Sequence, residues 1–487
     1  MSMNDSRSQP LAGVRAMLLA ICAAALPVPA PAADPFGTDR LAPSNQGAPW
    51  NGGDDACTRL AAATGPLTLA GVIERALCHN PQTRQSWNAA RNQAAQVGRN
   101  RAAYLPEVTI DGQAGASRTW PRNGGAISQE STSASATVSY LLFDFGARDA
   151  NFDTARQLLE AANWSHNATL QSVFLAAIQS YYQLFATGAN VEAALQAEKA
   201  SEESMKAAET RYRVGTGTPA DRLQAKTAFS QAQLTSTRAE GERRVAAGVL
   251  ANAIGLDADV EVDLASPRIQ APDPATDARV RELVDYARVL RPDLAAAEAK
   301  VQAARAQVRA ALAAGKPTVS LTGSAGLSDS NSASLASSGA VGISVSFPLF
   351  TGYRNTYDIR SAQMQVEARE ADRDQLRNQV SLDVWRAYQS LATERTALVN
   401  AEDLLQSALE SENVARGRYK AGAGTFIDLL NAQSAAASAR FQSVQARYNW
   451  HLAKAALASA LGTLDLAALP GNADTVVIDT TRSTARK

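Results

Sequence analysis

The sequence predicts an internally duplicated α+β membrane protein in which each chain supplies four strands to a β-barrel and two long coiled-coil helical hairpins. Three observations carry this. Matching residues recur at a nearly constant distance: Pro81 and Pro292, like Pro106 and Pro317, lie 211 apart, whereas Phe143 and Phe350, Tyr212 and Tyr419, Asp221 and Asp428, and Gly255 and Gly462 all lie 207 apart. Four segments alternate apolar and polar residues with period two. Two proline-free stretches, between Arg122 and Thr218 and between Leu349 and Leu469, leave room for very long helices. A repeat of about two hundred residues is half of a large architecture rather than a solenoid unit. The four-residue slip between Pro106 and Phe143 marks a stretch that tolerates length change, hence an exposed loop.

The first element is an export signal. Arg7 and Arg15 precede the apolar run from Ala16 to Leu26, and Ala30-Pro31-Ala32 gives a small-x-small cleavage pattern. Leu19-Ala20-Ile21-Cys22 has the shape of a lipidation site, but Ile21 stands where a small residue is wanted. The run is too short for a permanent spanning helix, and no later stretch supplies about 20 consecutive apolar residues. In an oxidising compartment Cys57 and Cys78 are a candidate disulfide tying the leader to the first helix, with two unpaired thiols as the alternative.

From Leu67 to Tyr104 a broken helical pattern runs to Leu105-Pro106. The period then changes. Val108, Ile110, Ala114 and Ala116 fall on one face and Thr109, Asp111, Gln113 and Ser117 on the other; after the turn-rich Pro121–Gln129, Ala134, Ala136, Val138, Tyr140 and Leu142 alternate with Ser133, Ser135, Thr137 and Ser139. The second repeat does the same with Val319, Leu321, Ala325 and Leu327, then Val341, Ile343, Val345 and Phe347. Strands of about ten residues with one apolar and one polar face fit a membrane barrel, lipid outside and water inside; a soluble hairpin lying on a core is the alternative. Four strands cannot close a barrel, and an open edge in hydrocarbon leaves backbone groups unpaired at several kcal/mol each. The sheet must therefore be completed by other copies, two giving eight strands or three giving twelve.

After each strand hairpin a long helix begins. Leu170, Phe174, Ala177, Tyr181, Leu184, Gly188, Val191 and Leu195 step four and three residues in turn, which is coiled-coil spacing. One helix from Ala147 to Tyr212 would extend ~100 Å. The helices end at related turns, Arg211-Tyr212-Arg213-Val214-Gly215-Thr216-Gly217-Thr218-Pro219 and Arg418-Tyr419-Lys420-Ala421-Gly422-Ala423-Gly424-Thr425. Glycine permits a left-handed cap, Thr218 can N-cap and Pro219 suits a first helical turn. Asp221 and Asp428 stand in the first turn of the returning helices, where the helix dipole favours a carboxylate.

Composition excludes other classes. With 47 basic and 47 acidic residues, no polybasic nucleic-acid footprint exists. His79, His166 and His451 have no metal-ligand spacing, and no nucleophile triad or phosphate-binding loop is present. The reading is of a non-enzyme with no metal and no cofactor. The chain divides into a signal peptide (1–32), a Pro/Gly-rich leader (33–66) and a first repeat (67–255) with strand hairpin 106–143 and helical tip 212–219. A linker or equatorial segment (256–281) follows, then a second repeat (282–469) with strand hairpin 318–350 and tip 419–425, and a polar tail (470–487).

In this order of elements the chain resembles the TolC-like outer-membrane channel family of type I secretion and multidrug efflux systems. The resemblance covers about Leu67 to Leu469 and rests on the duplicated halves and paired strand hairpins. It rests also on Leu349-Phe350-Thr351-Gly352 at a strand-to-helix junction, the Tyr-x-x-Gly tips, and Ala460-Leu461-Gly462-Thr463-Leu464. It implies a homotrimer whose twelve-stranded outer-membrane barrel continues as a periplasmic barrel of coiled-coil helical hairpins. It also implies, as partners, a periplasmic adaptor (membrane fusion protein), an inner-membrane ABC or proton-driven transporter, and outer-membrane lipid.

Residue by residue, the resemblance places Asp428 in an acidic ring at the pore entrance, where three copies would favour cations. Asn431 stands where a second acidic residue is found, which thins the charge. Asp221 and Tyr419 match a latch between neighbouring hairpins; Gly424 occupies the place of a latch arginine, leaving Arg418 or Arg222 as substitutes. Val214-Gly215-Thr216 and Ala421-Gly422-Ala423 match turns grasped by the adaptor. The expected function is an exit duct of a tripartite export system, with a protein toxin or other type I substrate as cargo because the Tyr-x-x-Gly tip and the Ala-Leu-Gly-Thr-Leu end resemble secretion-type members. Small-molecule efflux is the alternative within the class, and a periplasmic coiled-coil adaptor or structural rod the alternative outside it.

Overall fold

A computed structural model describes residues 34–48, 66–122, 125–265, 280–331 and 333–464; the signal segment, Cys22, Cys57 and the 470–487 tail lie outside these. Within the leader, Thr38–Leu41 form a short 3-10 helix. The broken helical pattern resolves into α1 (Leu69–His79) and α2 (Pro81–Ala102). The Thr68 hydroxyl accepts from the Gly71 N–H to cap α1, and Pro81 opens α2 because its missing N–H is one that a first turn leaves unpaired anyway. Next come β1 (Glu107–Thr119), β2 (Ile127–Phe143), α3 (Ala147–Arg213) and α4 (Pro219–Ala253). The second repeat supplies α5 (Val280–Leu290), α6 (Pro292–Ala313), β3 (Thr318–Ser330), β4 (Ala333–Ser346), α7 (Arg354–Lys420) and α8 (Phe426–Leu461). The duplication is thus structural as well as textual, and α3 and α7 have 67 residues each.

The chain divides into two compact units. One contains 92–159 and 299–370, together with the segment ending at Leu41; the other contains 42–91, 160–298 and the residues from 371 onward.

The first unit carries an antiparallel sheet in the order β1-β2-β3-β4. Its register joins the apolar positions into rows: Ile110 opposite Ala136 opposite Ala325, Val108 opposite Val138 opposite Gly323 opposite Val341, and Tyr140 opposite Leu321 opposite Ile343. The other face carries Thr109, Thr137 and Ser324 in one row and Ser139 and Thr322 in another, with Ser320 and Ser344 hydroxyls 2.7 Å apart. Ile110 is 77% and Val341 84% exposed, so among the described residues the apolar face covers no core. From Val319 to Leu327 the apolar positions run ~26 Å along the strand, which a tilt of about 40° projects onto ~20 Å of the ~25 Å apolar band of outer-membrane barrels. Leu142 departs from the predicted alternation: Leu141 pairs with Ser320 but Phe143 with Val319, so a bulge falls at Leu142 and carries Phe143 to the apolar side. Phe347 lies just past the end of β4.

The strand-to-helix junctions show how the repeats diverge in sequence while keeping their backbone. Phe145 and Gly146 both have positive φ (53° and 88°), as do Gly352 and Tyr353 (61° and 64°). These pairs are equivalent at the 207 offset, yet glycine occupies opposite members. One strained non-glycine residue is held at each junction; at the first, the Asp144 carboxylate accepts from the Arg148 backbone N–H at 2.8 Å, while the Arg148 guanidinium donates to the Leu141 carbonyl at 2.7 Å.

In the second unit, Val72, Ile73 and Leu77 of α1 pack on Leu170, Phe174 and Tyr181 of α3 with Leu250 and Ile254. Leu67 bridges in parallel to Leu264 of the linker, donating to the Asp263 carbonyl at 2.8 Å and accepting from Ala265 at 3.0 Å. The coiled-coil stripe is only half realised. Leu170, Phe174, Ala177 and Tyr181 are buried, but Leu195 is 47% exposed and the buried positions shift to Tyr182, Ala186, Ala193 and Ala194. A 3.5-residue stripe drifts about 20° per heptad around a 3.6-residue helix, so over four turns the contact face moves to alanines. Alanine and serine around the stripe leave room for close helix approach, and here Ala186, Ala193 and Ala194 are the buried positions.

Candidate functional site at the hairpin tips

Both tips close by the same local chemistry. At the first, Gly215 (φ 80°) accepts the left-handed conformation that ends α3. The Gly215 and Gly217 amides donate to the Tyr212 and Arg211 carbonyls, at 3.1 and 3.0 Å. A Cβ on Gly217 would stand 3.0 Å from the Tyr212 backbone nitrogen, so the turn can fold tightly onto the helix end only with glycine there. Thr218 and Asp221 then form a capping box: the Asp221 N–H donates to the Thr218 hydroxyl at 3.1 Å, and the Thr218 N–H to the Asp221 carboxylate at 3.3 Å. At the second tip Gly422 (φ 74°) and the Thr425–Asp428 box repeat this at 3.1 and 3.2 Å. Hydrogen bonding by the Thr425 side chain and backbone, with a smaller contribution from the charge of Arg418, holds the Asp428 carboxyl below the usual carboxylate range.

The tips meet through Tyr419. Its ring, 8% exposed, packs edge-on to Phe426 with centroids 5.7 Å apart and joins a cluster with Ala208, Ala225 and Leu429. The Arg211 guanidinium lies over this ring at 4.1 Å and donates to the Tyr419 carbonyl at 2.8 Å. Of the latch candidates, only Tyr419 makes this hairpin-to-hairpin contact within the chain. Arg222 stays on its own hairpin, 4.6 Å over the Tyr212 ring and 3.9 Å from Glu209. Arg418 is exposed on the side of Asp428, and Asp221 is engaged in its cap. Arg211 was missed from the sequence, although its equivalence to Arg418 at the 207 offset was the available signal.

Asp428 and Asn431 are both exposed and one helical step apart on α8, and Val214, Gly215, Thr216, Ala421, Gly422 and Ala423 are exposed at the tips. Behind the tips the helices are stitched by polar pairs around the buried Glu412 and a half-buried Gln433. Glu412 accepts from Arg416 on α7 and from Arg440 on α8 at 3.3 Å. Gln433 of α8 donates to the Ser204 hydroxyl of α3 at 3.0 Å. Cys78 is disulfide-bonded; Cys57 lies outside the described residues. Among the described residues no cluster could hold a metal ion, and no helix is long and apolar enough to cross a membrane.

A sheet apolar on one face and, among the described residues, unpaired at both edges is a part of a larger barrel, and the class so defined is that of outer-membrane channel subunits. The chain belongs to the outer membrane efflux protein family, which it matches over residues 72–256 and again over 283–463, once per repeat. It is 31% identical to protein CyaE of Bordetella pertussis over 83% of this chain and 86% of that protein. It is 26% identical to the alkaline protease secretion protein AprF of Pseudomonas aeruginosa over 61% and 63%. The crystal structure of the Campylobacter jejuni CmeC outer membrane channel shares the fold, with a TM-score of 0.73, 18% identity, and coverage of 82% of this chain and 86% of that one. Members of the family are channels of the outer membrane with periplasmic tunnel portions, homotrimers that work with adaptors and inner-membrane transporters.

Proposed function

We propose that the chain is the exit duct of a type I protein secretion machine, assembled as a homotrimer in the outer membrane. The observation that carries the duct reading is the four-stranded sheet, apolar on one face, hydroxyl-lined on the other and open at both edges. Lipid and neighbouring copies are what such a surface requires. Protein cargo is supported by the relative whose name states protease secretion, together with the Tyr-x-x-Gly tips. In this reading Asp428 and Asn431 ring the periplasmic entrance, and a periplasmic adaptor engages Val214-Gly215-Thr216 and Ala421-Gly422-Ala423. An inner-membrane ABC transporter drives the cargo, and Cys57 pairs with Cys78 to tether the leader to α1. The domain boundaries at 32, 66, 255, 281 and 469 belong to the same proposal.

The family description itself, outer membrane efflux protein, favours a second reading in which a proton-driven pump delivers small molecules. Deleting the gene separates the two. Loss of a specific protein from the culture supernatant, restored by complementation, supports secretion. An unchanged supernatant with increased sensitivity to toxic small molecules overturns secretion in favour of efflux.

A further inference from the structure

We propose that a groove between α3 and α7 lines the bore of the channel, and that its Arg386 transiently holds acidic stretches of an extended polypeptide in transit. This deepens the protein-duct reading above and rests on it. The groove encloses about 630 Å³, within the range of clefts that take ligands. α3 contributes Ser172, Ala176 and Gln179, α7 contributes Arg386 and Ser390, and α8 contributes Ser459, with Arg291 and Asp293 at the junction of α5 and α6.

The side of α3 that carries Leu170, Phe174 and Tyr181 is covered by α1. At about 100° per residue, Ser172, Ala176 and Gln179 fall on the other side. In a trimer α3, α4, α7 and α8 supply twelve wall helices, which at ~10 Å spacing enclose a bore of roughly 28 Å. The six copies of α1 and α5, each ~10 Å across, would fill that bore. In an open duct they therefore lie outside the wall, and the groove on the far side of α3 faces the bore.

The groove's charges are not equally available. The Arg291 guanidinium donates to Asp293 at 3.0 and 2.6 Å and to Asp383 at 3.1 Å. Gln379 donates to the other Asp383 oxygen at 2.7 Å, so both carboxylates are engaged. Arg386 is exposed and, among the described residues, makes no ion pair. The charge belongs to one repeat alone: at the 207 offset Asp383 and Arg386 become Ala176 and Gln179, and at the 211 offset Arg291 and Asp293 become Asn80 and Gln82. Alanines floor the groove at 176, 387, 456 and 460, leaving no deep pocket for a particular side chain. The hydroxyls and amide of Ser172, Ser390 and Gln179 can hydrogen-bond any backbone. Such a surface attracts a carboxylate without selecting a sequence, and an exposed ion pair is weak enough to let the chain move on.

Two measurements on the purified oligomer in planar bilayers test this. For the position of the groove, Arg386→Cys, Ser172→Cys and, on the exposed side of α5, Arg281→Cys are treated with an anionic methanethiosulfonate beside the parent protein, and labelling is verified by mass spectrometry. Conductance should fall by about a fifth or more at 386 and 172 and stay unchanged at 281. No fall at 386 and 172, or a fall at 281, overturns the proposal. For the ligand, octaglutamate or octalysine is added on the barrel side. Arg386→Gln should shorten octaglutamate blockades about threefold and leave octalysine blockades as in the parent. Octaglutamate blockades of equal length in both proteins, or an equal shortening with octalysine, overturn it as well. Failure of the parent protein to conduct would overturn the channel reading instead, and the supernatant comparison above tests the cargo class independently.

Discussion

Three glycines with nearly the same backbone conformation separate what φ costs from what packing costs. Gly215, Gly462 and Gly255 have φ of 80°, 75° and 78°. Alanine at any of them incurs the left-handed penalty, about 1 kcal/mol. Their surroundings differ. A Cβ at 215 meets nothing within 4 Å; at 462 the nearest atoms, of Leu290 and Arg291, are 3.3 Å away; at 255 the His79 carbonyl oxygen is 2.5 Å away and its carbon 2.8 Å. The last is about an ångström inside ordinary contact, and the obstacle is backbone, so the ends of α1 and α4 must separate. Overpacking of that kind costs about 1–3 kcal/mol, which brings Gly255→Ala to about 3 kcal/mol, Gly462→Ala to between 1 and 2 (roughly, on the same scale), and leaves Gly215→Ala at about 1. Thermal unfolding followed by circular dichroism in detergent should shift by roughly 2–4 °C per kcal/mol, in the order 255, then 462, then 215. Equal shifts, or a larger one at 215 than at 255, would refute the packing argument.

Three further expectations follow from the same geometry. Asp428→Asn keeps an oxygen able to accept from the Thr425 N–H while removing the charge, so cation preference in planar bilayers should fall with little loss of stability; unchanged selectivity would leave Asp428 only its capping role. Val341→Arg on the apolar face should cost about 2–4 kcal/mol per copy and impair assembly in lipid, whereas Ser324→Arg on the opposite face should assemble; the reverse outcome would invert the assignment of faces. His166, whose Nδ1 lies 2.8 Å from the Ser86 hydroxyl, and His451 are both pushed down to about 4, chiefly by burial. Their unfolded forms bind protons that the folded forms refuse, so stability present at neutral pH is lost as pH falls below 6.5 toward 4, by up to about 3 kcal/mol per histidine. Melting temperature should drop between pH 6.5 and 5, and replacing both by glutamine should flatten that slope; a flat wild-type profile contradicts it.

The sequence by itself determined the duplication, the period-two strands, the two long helices and the capped glycine tips. Each is written in local terms: a period, a proline, a Thr-x-x-Asp box, a glycine where φ is positive. It also pointed to the family, because the order of those words along the chain is specific even where each word is weak. Only the tertiary structure decided which residues meet. The stripe through Leu195 looked continuous because spacing alone does not register the rotation of a 3.6-residue helix against its neighbours, and the contact had moved to alanines by Ala193. Leu142 fell at a bulge because the register on β3 is fixed by partner strands, not by alternation along β2. Arg211 closed over Tyr419 because two helix ends 208 residues apart in sequence come within 2.8 Å, and no local pattern encodes an encounter between distant segments.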